Sequence, residues 1–389
     1  MAAWKCDMMA SGVGKSAASR CGALVNALGR EVGPTASYCR LSQTLARFCN
    51  CCLVLGFVIV CACTGCRGTT AAAGSGIDRG VLEPAVHAPG ASPEAEGSAA
   101  PGNAGSQDAW HYLERQVSFG PRNPGSDGHR KVVDFIASEL GRSADVVQVR
   151  PFDAVYEGTA YSMANITALF KSASGKEEPF ILLAAHFDTR PRAEHDPLPE
   201  RRLTPIMGAN DGGSGVAVLL EIAGMLARTR PPVPVMLAFF DGEDLGASAD
   251  CMFLGSRRLA ESVDPGQVTY MLLLDMVGDA DLNICVEGYS QLSAPDVVDA
   301  VWSSAERLGY GDTFSREVRY HILDDHVPFI ERGIPAVDII DFDYPYWHTT
   351  LDTMDKCSPR SLQIVKDVVL DTIFRNGAAP PSLRKPDGS

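Results

Sequence analysis

Between Asp108 and Phe374, apolar runs of strand length alternate with stretches of helical periodicity, a pattern that restricts the chain to a sheet covered by helices. Phe180–Phe187 (FILLAAHF) and Val235–Phe240 (VMLAFF) are nearly continuous apolar runs, as strands buried on both faces require. Tyr270–Leu274 and Ala336–Ile340 are shorter strands of the same kind. Arg130–Leu140, Gly215–Leu226, Asp296–Leu308 and Ser361–Phe374 carry apolar residues at helical spacing and predict the helices between them. The expected fold is one α/β domain over residues 108–376, a mixed, mostly parallel central sheet flanked by helices. With 46% hydrophobic residues, the chain has enough apolar surface for such a core.

The polar residues fall where an α/β sheet binds ligands, outside the carboxyl ends of its strands. FILLAAHFDT runs into His186 and Asp188, VMLAFFDGED into Asp241, Glu243 and Asp244, and YMLLLDMVG into Asp275. The last strand leads to His348, and the turn MGANDGGSG supplies Asp211 just before a helix. Taken singly, Asp211 is explained as a helix cap and His186 as a hydrogen-bonded structural histidine. Asp275 inside an apolar run is not, because an unpaired buried carboxylate is expensive. A metal ion pairs all these charges at once, and His and carboxylate ligands without Cys suit zinc at an open, catalytic site. His186 and Asp188, two apart on a strand, face the same way, so Asp188 is placed to orient His186. Glu243 beside Asp244 offers one carboxylate for the metal and one for proton transfer.

The amino-terminal region reads differently. Residues 1–66 carry six Lys/Arg against two Asp/Glu, and the rest 28 against 46, so the net charge of −14 divides into +4 and −18. An acidic body argues against nucleic acid and anionic membrane as its direct partners. Nine of the twelve Cys precede residue 67, which leaves Cys251, Cys285 and Cys357 in the body, too few for a disulfide framework. Cys51–Cys66 (CCLVLGFVIVCACTGC) is a short apolar run behind Arg40 and Arg47, the layout of an export signal. It fits two devices, a bacterial lipoprotein signal processed at Cys66 or a signal-anchor helix; either exports the body and confines membrane contact to this segment. Residues 67–107, rich in Gly, Ala, Pro and Ser, read as a disordered tether, and 377–389 as a flexible tail. Asn165-Ile166-Thr167 matches a glycosylation acceptor, a pattern common by chance.

These residues, in this order, resemble metallopeptidase family 28, which holds zinc aminopeptidases and glutaminyl-peptide cyclotransferases. The likeness runs from Phe119 to Val368 and begins with GPRNPGSDGHRK. It implies metal ligands at His186, Asp211, Asp244, Asp275 and His348, and a general acid/base at Glu243. In the two-zinc peptidases, Asp211 bridges a site completed by Asp244 and His348 and another completed by His186 and Asp275. In the cyclases, Asp211, Asp244 and His348 hold a single zinc, and Asp275 is a hydrogen-bonding partner in the active site.

Two details of the resemblance point to the cyclase branch. Asp324-Asp325-His326, followed by VPFIERGIP, is similar to the cyclase segment in which the first Asp helps to hold the substrate amine. Trp347, just before His348, matches the Trp that walls the glutaminyl pocket. Glu243-Asp244 stands where animal cyclases have Glu-Glu, Asp338 where they have His, and their second pocket Trp is lacking; Glu-Asp and VDIID resemble the bacterial type. The resemblance thus implies a zinc-dependent cyclotransferase acting on amino-terminal glutamine, with a zinc aminopeptidase as the alternative and a non-catalytic ectodomain as a remote third reading. The lack of a GxSxG elbow argues against a serine hydrolase, since neither SMANI nor GGSGV forms one.

Overall fold

The computed structural model describes residues 108–376 except 177. The expected export segment at 51–66, the expected tether at 67–107 and the expected tail at 377–389 lie outside the described residues. Eight strands and eight helices follow one another: α1 (Ala109–Val117), α2 (Asp127–Gly141), β1 (Val146–Tyr156), β2 (Thr159–Phe170), β3 (Phe180–His186), α3 (Ser214–Arg228), β4 (Val235–Phe240) and α4 (Leu254–Ser262). Then come β5 (Val268–Asp275), β6 (Ile284–Val286), α5 (Gly288–Ser293), α6 (Pro295–Arg307), β7 (Phe314–Val318), α7 (Val327–Glu331), β8 (Ala336–Ile340) and α8 (Pro359–Asn376).

The main sheet is six-stranded in the order β1-β2-β4-β3-β5-β8, with the last four strands parallel. The mixed, mostly parallel α/β sheet anticipated from the sequence is therefore present. Alternation along β3 shows how its faces divide. Ile181, Leu183 and Ala185 join the core under α1, α2, α3, α6 and α8, while Phe180, Leu182 and Ala184 join the core under α4 and α7. Every residue of β3 is buried, which is why the sequence shows an uninterrupted apolar run there.

The antiparallel edge formed by β1 and β2 was not anticipated. β1 contains Pro151 and Asp153 and is exposed along much of its length, so it carries no apolar run to recognise. Its partner is reached through Glu157 and Gly158, both at positive φ, the handedness that a two-residue hairpin turn needs. The predicted helix at 130–140 begins earlier, because Ser126 caps it by accepting the backbone N–H of His129. Asn165 is buried and its amide donates to Gly255 O, so it is no glycosylation acceptor. Cys251, Cys285 and Cys357 are all unpaired thiols.

Two features fix the turn ahead of α3. Gly215 packs so tightly on β5 that a Cβ there would lie 2.1 Å from Leu274 O. Arg122, fully buried and part of GPRNPG, donates to Phe187 O (3.1 Å), Met207 O (2.8 Å) and Gly208 O (2.7 Å), tying the exit of β3 to the loop that approaches Asp211. Burial lowers its guanidinium pKa to about 10 against the pull of Asp352, Asp211 and Asp188, so it stays charged at neutral pH. Arg122→Met leaves three buried carbonyls unpaired and is expected to lower unfolding stability by at least about 3 kcal/mol. Urea denaturation checks this, and a loss below about 1 kcal/mol would contradict the role.

Candidate active site

The carboxyl ends of the parallel strands converge on one buried cluster. β3 ends in His186 and β5 in Asp275, β4 runs on through Gly242 to Glu243 and Asp244, and the loop after β8 returns His348 to the same rim. Asp211 stands between two groups of ligand atoms. On one side, His186 Nε2 lies 3.2 Å from Asp211 Oδ1 and 3.1 Å from Asp275 Oδ1. On the other, His348 Nε2 lies 3.4 Å from Asp244 Oδ1 and 3.8 Å from Asp211 Oδ2. Ligands about 2.0–2.1 Å from a tetrahedral zinc stand about 3.3 Å from one another, so both groups have the right spacing. Asp211 Oδ2 and Asp244 Oδ2 are buried with no hydrogen-bond partner, as expected of atoms made to face a cation.

The scaffold beneath these ligands is specific. Asp352 accepts the backbone N–H groups of Asn210 (2.9 Å) and Asp211 (3.1 Å) and the hydroxyl of Tyr344 (2.7 Å). Gly212, at φ +80°, leaves no space for a side chain; a Cβ would lie 2.4 Å from Asp188 O. Two residues hold the left-handed backbone that a side chain disfavours, His348 at φ 55° and Met276, just after Asp275, at φ 47°. Asp188, expected to orient His186, bonds elsewhere. Its two oxygens accept the backbone N–H groups of Glu243 (3.1 Å) and Asp244 (3.2 Å), while His186 Nδ1 stands at 3.7 Å, beyond hydrogen-bond reach. Asp241, at the end of β4, turns away to pair with His129 (2.8 Å) and the backbone of Ala164.

Other predicted residues line the rim. Trp347 packs against His348, with ring centroids 4.0 Å apart, and joins an apolar wall of Met276, Ile322, Ile340 and Phe342. Asp324 is buried with His326 and Asp338 in a second polar group, where Glu287 Oε2 lies 3.2 Å from His326 Nε2. Arg190 and Glu194 were not singled out in the sequence. Arg190 is buried and donates to Asp244 Oδ1 (2.7 Å) and Glu194 Oε1 (2.8 Å), and Glu194 Oε1 lies 3.3 Å from His348 Nδ1. Their segment, RPRAEHDPLPERR, reads as a charged surface loop. It is clasped to the His348 loop, since His195 N donates to His348 O (3.1 Å) and Asp196 accepts from the Thr350 backbone (2.9 Å).

The electrostatics follow from this crowding. Burial first, and the Asp244 charge second, push Glu243 well above the usual carboxylate range. Burial and Asp275 do the same to Asp324, and burial and Asp324 to Asp338; Asp325 and Asp352, buried likewise, rise to about 7. Although burial opposes it, Asp244 lifts His348 to about 9. Burial also opposes ionisation of Asp244, but Arg190 and His348 outweigh it and hold the group low. Every raised group binds protons in the folded chain that it would release on unfolding. For the carboxylates this holds above about pH 4, and for His348 between about 6.5 and 9, so stability is lost as pH rises. Asp244 and His195 run the other way: Asp244's contribution is lost only on acidification below the ordinary carboxylate range, and His195, lowered by burial to about 4, offsets part of the loss only up to about pH 6.5. The metal-free protein is thus expected to melt lower at pH 8 than at pH 5, and zinc to raise its Tm more at pH 8. Thermal unfolding with and without chelator checks this; a metal-free Tm that rises over that interval would contradict it.

Comparison with known proteins matches this site to one family. The pattern of peptidase family M28 fits residues 165–373, more than half of the chain. A glutaminyl-peptide cyclotransferase-like protein of Mus musculus is 27% identical over 270 residues, 61% of this chain and 67% of its own. The crystal structure of Tannerella forsythia glutaminyl cyclase is 36% identical, with a TM-score of 0.66 over 70% of this chain and 99% of that one. A Zn-dependent exopeptidase from Parabacteroides distasonis is 35% identical, with a TM-score of 0.67 over 71% of this chain and 100% of that one. With its ligand set spaced for zinc and its sheet shared with both kinds of relative, the chain belongs to peptidase family M28.

Proposed function

We propose that this protein is a glutaminyl-peptide cyclotransferase, which converts the amino-terminal glutamine of peptides to pyroglutamate and releases ammonia. The observation that carries the reading is Trp347, whose ring lies against the metal ligand His348 at 4.0 Å and gives the centre an aromatic wall suited to a compact side chain. Several solved relatives at 34–36% identity are bacterial glutaminyl cyclases, which supports it. Asp211, Asp244 and His348 would hold one zinc ion, which when bound supplies Lewis-acid polarisation of the γ-carbonyl. Glu243 takes a proton from the substrate α-amine as its nitrogen bonds to the γ-carbonyl carbon. It returns that proton to the departing amide nitrogen, which leaves as ammonia. Asp324, buried near Asp275, steadies the amine, and Asp275 holds the reacting group by hydrogen bonding. The apolar run Cys51–Cys66 directs export, by lipoprotein processing or as a signal anchor, and peptide amino termini outside the cytoplasm are the substrates.

One observation favours a second reading. His186, Asp211 and Asp275 form a complete second group at 3.1–3.2 Å, as a two-zinc aminopeptidase needs. There Glu243 would take its proton from an attacking water instead, and a free amino-terminal residue would be released.

Matched peptides beginning in Gln and in Leu, incubated with the zinc-loaded protein and followed by mass spectrometry, separate the two. Loss of ammonia from the Gln peptide alone is the expected result, and release of free Leu would sink the cyclase. In the same assay Glu243→Gln is expected to lower kcat by roughly 10²–10⁴-fold, the usual contribution of a positioned acid/base. Trp347→Ala is expected to act mainly on KM, as loss of an apolar wall does.

A further inference from the structure

We propose that Glu194, held in place by Arg190, is a positioning residue for the centre formed by Asp211, Asp244 and His348. It accepts the Nδ1 proton of His348 and so turns the Nε2 lone pair toward the metal. The proposal rests on the metal centre described above and not on which reaction that centre catalyses.

The geometry supplies each part. A histidine ligand has two ring nitrogens, and the partner of one decides which form the other presents. His348 Nε2 faces the carboxylates of Asp244 and Asp211, and Nδ1, which makes no aligned hydrogen bond in this structure, has Glu194 Oε1 within 3.3 Å, near enough to take its proton after a small ring rotation. An ionised carboxylate only accepts hydrogen bonds, so it selects the Nδ1–H form. Arg190 holds Glu194 in place with a 2.8 Å bond from Nε, and its Nη1 donates at 2.7 Å to Asp244, a second ligand of the same centre. One guanidinium and one carboxylate therefore brace two of the three ligands. The ring of His348 also packs with Trp347 at 4.0 Å and His195 at 5.3 Å, two rings that touch each other at 4.9 Å. His186, in the neighbouring group, has no such brace; its Nδ1 stands 3.7 Å from both Asp188 and Glu243. The contribution of Glu194 is thus confined to one centre.

The test is zinc affinity of the full chain, measured by competition with a chromophoric chelator for wild type, Glu194→Ala and Glu194→Asp. Glu194→Ala is expected to weaken the tighter zinc by 10–100-fold, the usual effect of losing such a partner, with Glu194→Asp recovering part of the loss. Nitrogen NMR of the zinc-loaded wild type should show His348 protonated at Nδ1 and metal-bound at Nε2. Equal zinc affinity in wild type and Glu194→Ala overturns the role of Glu194 alone, whereas a wild type that binds no zinc overturns the metal centre with it. Should Glu194→Ala fail to fold, the NMR result decides, and a His348 unprotonated at Nδ1 overturns the proposal.

Discussion

The mutual repulsion of carboxylates packed at the carboxyl ends of parallel strands sets the terms for the rest of this structure. Asp188, Asp211, Glu243, Asp244, Asp275, Asp324, Asp325 and Asp338 are all buried on or beside one rim. Left unpaired, charges so placed are among the costliest things a fold can hold. The molecule manages them in three ways. Asp188 and Asp352 are spent on backbone N–H groups, Arg190 and the histidines neutralise part of the remainder, and the ligand groups around Asp211 are spaced for a cation.

How much of this could be read in advance depended on burial. Strands covered on both faces announce themselves as apolar runs, so β3, β4, β5 and β8 were legible to within two residues, as were α3 and α6, whereas the shorter helices α4, α5 and α7 were not anticipated. So was the residue set of the rim, because a carboxylate or histidine that ends such a run has few structural excuses. The β1–β2 hairpin was not legible: β1 is half in solvent, and its turn uses Glu157-Gly158 without the usual Asn or Asp ahead of the glycine. Arg122 lay in a quoted motif without an assigned task, because three carbonyls from distant segments meet it only in the folded chain.

Glu194 shows the limit most clearly. In sequence it sits amid Arg, His, Asp and Pro and has the composition of a solvated loop. What draws that loop inward is not apolar burial but contacts with another loop more than 150 residues away, through His195 and Asp196. Periodicity carries no trace of such pairing. Asp188 is a milder case. Its strand position indicated the right neighbourhood, but its oxygens serve the backbone of the Glu243 segment rather than the imidazole it was expected to steer.

The clasp between the Arg190–Asp196 segment and the His348–Thr350 segment also bears on how a substrate gets in. The two loops are joined at His195–His348 and at Asp196–Thr350, so neither can swing outward without dragging His348 with it. An entrance that opened by hinging this side would have to dismantle the centre on every turnover. Any opening on this side therefore has to move both loops together, and His348 with them.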